Sequence, residues 1–249
     1  MRIINGIVIR QRDVGDNDKY ADILTPEGVI EVLIKGVKKI NSKTGSSSQL
    51  FAYSKFCINE KGERNILNSA EPIHIFYDLR NSLKKIALAS YFADIIKYCV
   101  TDERRNSEVM RLFLNTLHFL EKDLRTYDFL KSLFELRFIS EIGMMPYIIA
   151  CAGCGSFEPD KVYFSIKNSN FYCSDCFMHS QNDYIIEGSL SFLRAVRHIV
   201  LSDFERLFNF RVSDNVQKTL SYFSEKYIIH HLEHKFNTLD FYKSIEDME

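Results

Sequence analysis

Four cysteines carry the clearest chemistry in this 249-residue chain. Cys151-Ala-Gly-Cys154 and Cys173-Ser-Asp-Cys176 form a C-x2-C-x18-C-x2-C pattern. That spacing suits one zinc ion held by four thiolates. Four thiolates complete a tetrahedral sphere and leave no position for water, so such an ion is structural and activates no nucleophile. A CxxC pair can also serve as a redox dithiol, and spacing alone leaves that reading open. Cys57 and Cys99 stand apart and read as small buried apolar groups. Six cysteines in 249 residues are too few for a disulfide scaffold and fit a reducing compartment.

A second set of residues suits phosphate. Between Glu31 and Glu60 there is no acid, but there are five lysines: Lys35, Lys38, Lys39, Lys43 and Lys55. The run from Lys35 to Lys43 leads into Thr44-Gly-Ser-Ser-Ser48, which reads as a mobile polar loop. Compact ammonium groups bind phosphates as point charges without asking for base identity. Arg2, Arg10 and Arg12 join the same face if the strands that carry them curl into a barrel. Phe51 and Tyr53 follow directly and share one strand face. Beside a basic groove they would stack bases at roughly 1–3 kcal/mol each; otherwise they fill a barrel interior. A lysine-rich loop is also an ordinary solvated surface.

These residues need elements to position them. Hydrophobic residues make up 46% and charged residues 26%, a globular balance that excludes disorder, collagen and coiled coil as descriptions of the whole. Lys and Arg number 32 against 33 Asp and Glu, a net charge of −1. That excludes a uniformly basic coat protein but not a local basic face. No run of 18 uncharged apolar residues is present, so no membrane span is expected. MRIINGIVIR reads as a first strand rather than a leader. Cytoplasmic residence follows as an expectation.

Five short strands are expected in the first 75 residues. They run through Ile3–Ile9, Tyr20–Leu24, Val29–Ile34, Leu50–Ile58 and Arg64–Ile73, with turns at Thr25-Pro-Glu-Gly28 and Lys61-Gly-Glu63. Such a set closes into a small barrel, an architecture that commonly holds oligonucleotides. Near residue 78 the period becomes helical. Val109, Leu112, Phe113, Thr116, Leu117 and Leu120 share one helical face. Helices are also expected over Leu83–Cys99, Tyr127–Ile142 and Leu190–Leu201. A further one carries Val216, Leu220, Phe223 and Tyr227, with Asp214 and Gln217 spaced as a capping box. Between the cysteine pairs, Val162–Ser165 and Asn170–Tyr172 flank a turn and read as a hairpin. The last ten residues, rich in acids, are expected to fray. The division expected is a barrel over 1–77 and an all-helical domain over 78–249, with a zinc module inserted at 147–180.

Other features carry less. His230, His231 and His234 include an i, i+4 pair but no HExxH pattern, and read as ordinary surface and core histidines. Asp13, Asp16, Asp18 and Asp22 lack the glycine and closing Glu of a calcium loop. GxSxG, P-loop and GxGxxG patterns are absent, and no catalytic set is found.

Along its whole length the chain resembles the RecO family of bacterial recombination mediators. Gly15-Asp-Asn-Asp18 is similar to the family's Gly-Glu-Ser-Asp turn, and Lys35-Gly-Val-Lys-Lys39 to its basic KGxRR strand end. Ala70-Glu-Pro72 precedes the helical part as it does there. The most specific stretch is Phe134-Glu-Leu-Arg137, then Gly143, Pro146 and Cys151-x-x-Cys154-Gly155. Tyr163-Phe-Ser165 and Phe171-Tyr-Cys173 complete it. Lysines stand at 38 and 39 where arginines are usual, and Lys235-Phe-Asn-Thr-Leu239 lacks one lysine of the family's chain end.

The resemblance implies an α+β protein: an N-terminal five-stranded OB-fold barrel, then an all-helical domain with a four-cysteine zinc module. It implies a role that is not enzymatic. Such proteins bind single- and double-stranded DNA, anneal complementary strands and act with RecR to help RecA load onto DNA coated by single-stranded DNA-binding protein (SSB). They work at the nucleoid. They also dock the acidic, Phe-ended tail of SSB on the helical domain, in an apolar pocket rimmed by cations. Arg194, Arg197 and Arg206 are rim candidates by residue type. DNA contacts are expected from Arg2, Arg10, Arg12, Lys35, Lys38, Lys39 and Lys43. The competing class is a zinc-stabilised OB-fold module for RNA, because the fold alone does not choose the nucleic acid. A thiol oxidoreductase or a nuclease is the third.

Overall fold

In the computed structural model, residues 1–39, 42, 44–62, 64–100, 106–178 and 183–246 are described. The chain forms two compact units, Met1–Leu124 with Phe236–Glu249, and Arg125–Lys235. The period change near residue 78 therefore marks where strands give way to helices. The boundary between units falls later, at Leu124, and the last helix returns to the first unit.

Five strands open the first unit: β1 (Arg2–Val14), β2 (Asp18–Thr25), β3 (Gly28–Ile34), β4 (Ala52–Lys61) and β5 (Arg64–Ile75). They close into a barrel in the order β1-β2-β3-β5-β4. Every pairing is antiparallel except β3 with β5, which runs parallel at Val32↔Asn65 and Leu33↔Ile66. This is the OB-fold arrangement. Period-2 alternation drives it, since successive side chains point to opposite faces. Ile4, Val8, Ala21, Ile23, Ile30, Val32, Ile34, Phe56, Ile58 and Leu67 fill the interior. At the β2–β3 turn Thr25 Oγ1 donates to the Gly28 carbonyl at 2.9 Å and accepts from the Glu27 N–H at 3.2 Å.

Gly6 sits where β2 comes close beneath β1. A Cβ there would lie 2.6 Å from Ile23 Cγ2 and 2.9 Å from the Leu24 carbonyl oxygen. The carbonyl cannot move without breaking the ladder. Gly6→Ala is therefore expected to lose roughly 1–3 kcal/mol by overpacking. A urea midpoint equal to wild type would contradict this.

The loop from β3 to β4 is better fixed than its polar sequence suggests. The Gly36 N–H donates to Asp18 Oδ1 at 2.7 Å and the Lys38 N–H to the Asn17 carbonyl at 3.1 Å. Thr44–Ser48, expected to be mobile, is tied down. Ser47 and Ser48 are buried. Gln11 Nε2 donates to the Ser48 carbonyl and Ser54 Oγ to the Ser47 carbonyl, both at 2.6 Å. The serine hydroxyls reach back to the Thr44 carbonyl and so replace the water that a polar tract normally keeps.

The helices are α1 (Leu83–Cys99), α2 (Ser107–Glu121), α3 (Tyr127–Glu141), α4 (Leu190–Leu201), α5 (Phe204–Leu207), α6 (Asp214–Leu232) and α7 (Asn237–Glu246), with a 3-10 turn at Tyr77–Asn81. Ser82, Thr126 and Ser189 cap α1, α3 and α4, each accepting the N–H three residues on. At α6 the expected capping box does not form. Ser213 is the cap residue and makes no side-chain cap bond. Gln217 Nε2 instead donates to Ser132 Oγ at 3.2 Å and Ser221 Oγ at 3.0 Å, because α3 packs over that turn. The chain end, expected to fray, is helical through residue 246. Leu239, Tyr242 and Ile245 are buried, and Thr238 Oγ1 donates to Asp94 of α1 at 2.9 Å.

The second unit packs α3, α4 and α6 with a small sheet in the order β7-β6-β8. Its strands are β6 (Lys161–Ser165), β7 (Asn170–Cys173) and β8 (Ile185–Ser189). Phe164, Phe192 and Tyr227 converge on Phe223, with ring centroids 4.5, 5.4 and 5.5 Å away. Among the described residues no helix is long and apolar enough to cross a membrane.

Candidate functional site

The four cysteines meet. Their sulfurs all lie within 4.8 Å of one another. The first pair sits on a tight turn in which the Gly155 N–H donates to the Cys151 carbonyl at 2.9 Å. The second pair turns likewise, with the Phe177 N–H on the Cys173 carbonyl at 2.9 Å. β7 delivers Cys173, and the Ala152 N–H donates to the Phe171 carbonyl at 2.9 Å, locking the first turn against that strand. The predicted hairpin is thus what closes the 18-residue gap.

The cluster fits a metal ion. Cys151 and Cys173 are buried, Cys176 is half-buried and Cys154 exposed. The Gly153 and Cys173 N–H groups donate to Cys151 Sγ at 3.4 and 3.2 Å, as they would to a thiolate. Burial works against ionising Cys151, but the backbone N–H groups of Cys154, Cys173 and Gly153 outweigh it and hold the thiol down to about 6. Hydrogen bonds to Cys154 and Cys173, with burial, push Cys176 up to about 12. Sulfurs this close cannot all shed protons unless a cation sits among them. Gly153 keeps the space clear, since a Cβ there would lie 2.8 Å from Cys176 Sγ.

The basic residues of the barrel divide in two. Arg2 pairs with Glu27, and with Glu60 at 3.5 Å. Arg12 pairs with Glu31 and lies 5.7 Å from the Tyr20 ring. Lys38 pairs with Asp13 at 3.1 Å, and that contact, with Lys19 nearby, lowers the Asp13 carboxyl below its ordinary value. Arg10, Lys35 and Lys39 are exposed and make no ion pair among the described residues. Lys43 lies outside them. Phe51 offers no stacking platform: it precedes β4, is buried, and meets Phe113 of α2 edge-on at 6.2 Å. Tyr53 lies on the outer barrel face, half-buried.

Of the three arginines assigned by type to a pocket rim, Arg197 belongs elsewhere. It is 9% exposed and donates to the Ile148, Ile149 and Phe157 carbonyls at 2.7, 2.7 and 2.6 Å. It clamps the chain as it enters the cysteine module. Arg206 is exposed, and its carbonyl meets His198 Nε2 at 3.0 Å. Arg194 does line an open cleft of about 410 Å3 in the second unit, with Phe210, Val212, Val216, His198 and Arg211. It also pairs with Glu158 at 2.9 Å. Arg211 was not anticipated, because a single arginine in an irregular stretch gives no periodic signal.

His231 is half-buried on α6. Its Nε2 meets Ser169 Oγ at 3.0 Å, so it braces the β6–β7 turn against α6.

Comparison with known proteins gives a consistent answer. The family model described as Recombination protein O N terminal matches residues 1–76, and that described as Recombination protein O C terminal matches residues 80–240. The chain is 32% identical over 244 residues to the DNA repair protein RecO of Acetivibrio thermocellus, covering 97% of this chain and 96% of that one. It is 26% identical over 242 residues to the RecO of Alkaliphilus metalliredigens, covering 96% and 98%. With the RecO of Caldicellulosiruptor saccharolyticus it shares 28% over 242 residues, covering 97% of each.

Proposed function

The chain belongs to the RecO family of recombination proteins, and on that premise we propose that it binds single- and double-stranded DNA, anneals complementary strands and, with RecR, helps RecA load onto SSB-coated DNA. The observation that carries this reading is the closed OB-fold barrel with Arg10, Lys35 and Lys39 free on its outer surface. Cations on such a surface screen the repulsion between two strands, while base pairing supplies specificity. Arg2, Arg12 and Lys38 would join by exchanging their carboxylates for phosphates, and Lys43 extends the same run.

The metal in this reading is one structural zinc ion on Cys151, Cys154, Cys173 and Cys176. Four converging sulfurs favour it over a redox dithiol, which needs only two. With no ligand position left for water, the site supports no hydrolytic role. The SSB tail would dock in the cleft of the second unit, its terminal aromatic against Phe210, Val212 and Val216 and its carboxylates on Arg194 and Arg211. The place of work is the cytoplasm, at the nucleoid.

The test is annealing of labelled complementary oligonucleotides coated with SSB, run against salt. Wild type is expected to accelerate annealing. Lys35→Ala/Lys38→Ala/Lys39→Ala is expected to lose most of the rate. Its salt slope for single-stranded DNA should fall by about 2, at ~0.7 per lost phosphate contact. No acceleration by wild type would overturn the reading. Preference for RNA over single-stranded DNA of equal length would replace it with an RNA-binding module.

A further inference from the structure

Two tyrosines stand exposed on the second unit where neither barrel nor cysteine cluster employs them. Tyr184, just before β8, is 50% exposed, and Tyr222, on α6, is 48% exposed. Their hydroxyls bond to each other at 2.5 Å, and the rings tilt at 38° with centroids 6.4 Å apart. Lys226 lies one turn beyond Tyr222, with Nζ 5.5 Å from that ring and 5.7 Å from the Tyr184 ring. Lys218 lies one turn before. Residues at i, i+4 and i+8 share a helix face, so Lys218, Tyr222 and Lys226 form a row about 12 Å long. The buried stripe of α6, with Val216, Leu220, Phe223 and Tyr227, points elsewhere.

Neither lysine has a carboxylate partner among the described residues. The adjacent Glu225 is turned to Lys131 at 2.9 Å. Asp183 is engaged by the Ser165 hydroxyl and, at 3.4 Å, by the Lys167 N–H. Among the described residues the two ammonium groups are therefore not met by a direct ion pair. Tyr184 is held in place, since its carbonyl accepts the Ile166 N–H at 3.1 Å.

We infer that Tyr184 and Tyr222, flanked by Lys218 and Lys226, form a second site for single-stranded DNA, separate from the barrel surface. The inference rests on the proposed DNA-binding role and adds to it a place for another strand. Tyrosine rings fixed by their own hydroxyl pair offer faces on which any base can stack; the exposed Lys218, one turn before, meets a phosphate directly, and Lys226 does so by exchanging its contact with the two rings for one. A purely apolar partner would leave both lysines unsatisfied.

The experiment is photo-crosslinking of an iodouridine-substituted single-stranded oligonucleotide to the full chain, with adducts located by mass spectrometry. Adducts are expected on Tyr184 or Tyr222. Tyr184→Leu/Tyr222→Leu should abolish them and weaken binding roughly 10-fold per lost stack, while barrel adducts persist. Tyr184→Phe/Tyr222→Phe keeps the rings and should keep crosslinking at those positions. Lys218→Ala/Lys226→Ala should lower the salt slope by ~1.4. Adducts on barrel residues alone would overturn this inference and leave the proposed function standing. Absence of all binding would overturn both.

Discussion

With the proposed zinc ion in place, Cys173→Ser, or removal of the ion by a chelator, is expected to open the segment from Tyr147 to Phe177 to protease while the barrel keeps its own unfolding transition. The reason lies in how little else holds that segment. β7 has only four residues and pairs with β6 alone, so it is a short edge of the β7-β6-β8 sheet. The two cysteine turns flank the hairpin, and besides the sulfurs a half-buried Phe177 ring, stacked on Tyr163 at 4.2 Å, anchors the second of them. A structural zinc supplies ~10–16 kcal/mol to a small module. Whole domains are stable by only ~5–15 kcal/mol, so on the proposed zinc reading loss of the ion would exceed any reserve. Phe164 and Phe171 still lean on the helical core, and Arg197 still clamps the entry, so α3, α4 and α6 are expected to stay helical. Limited proteolysis with mass mapping reads the difference. Wild-type resistance in metal-free Cys173→Ser protein would remove the structural role of the cluster.

The barrel was legible because alternation is a local signal. Ile30, Val32 and Ile34 already declare an inward face, and Thr25-Pro-Glu-Gly28 declares the turn before it. α1 and α4 were legible because a serine precedes each apolar period. The cysteine site was legible because its ligands come in two local pairs, and the hairpin that unites them lies between. β8 was not legible: Ile185-Ile-Glu-Gly-Ser189 is short, runs straight into α4, and becomes a strand only because β6 offers an edge. Gln217 misled for a related reason, as its amide satisfied a neighbouring helix rather than its own. Ser47 and Ser48 misled because a polar tract looks solvated until a carbonyl partner appears. The cleft joins α4 to the irregular stretch before α6, and the tyrosine patch joins the residue before β8 to α6, so no single period along the chain announces either.

The Phe134-Glu-Leu-Arg137 stretch, the most specific in the sequence, leads to the second large effect. Arg137 donates to the carbonyls of Ile199, Val200 and Ser202 at 3.2, 3.1 and 2.8 Å, tying the end of α4 to α3. Glu135 is fully buried, accepts from Ser224 Oγ at 2.5 Å and pairs with Lys131 at 2.9 Å. Lys131, 4% exposed, also meets Glu225 at 2.9 Å. Burial opposes its charge, but Glu135 and Glu225 together outweigh that and raise its pKa. Lys131→Met strands two carboxylates against an apolar neighbour and is expected to lose about 3–5 kcal/mol. Lys131→Met/Glu135→Leu removes the buried pair as a whole and is expected to recover most of the loss, since Glu225 can turn to water. The pH dependence has a definite sign. A lysine whose folded pKa is raised contributes fully below its unfolded value of about 10.4 and loses that contribution only as pH climbs through the folded value. The contribution of Lys131 itself should therefore stay constant from pH 6 to 9, and the gap between wild type and the double variant, in which no buried carboxylate is stranded, should not change across that range. Urea midpoints across that range measure it, and a single variant as stable as wild type, or a double variant no better than the single, would show that α3 and α6 are held together by packing rather than by this ion pair.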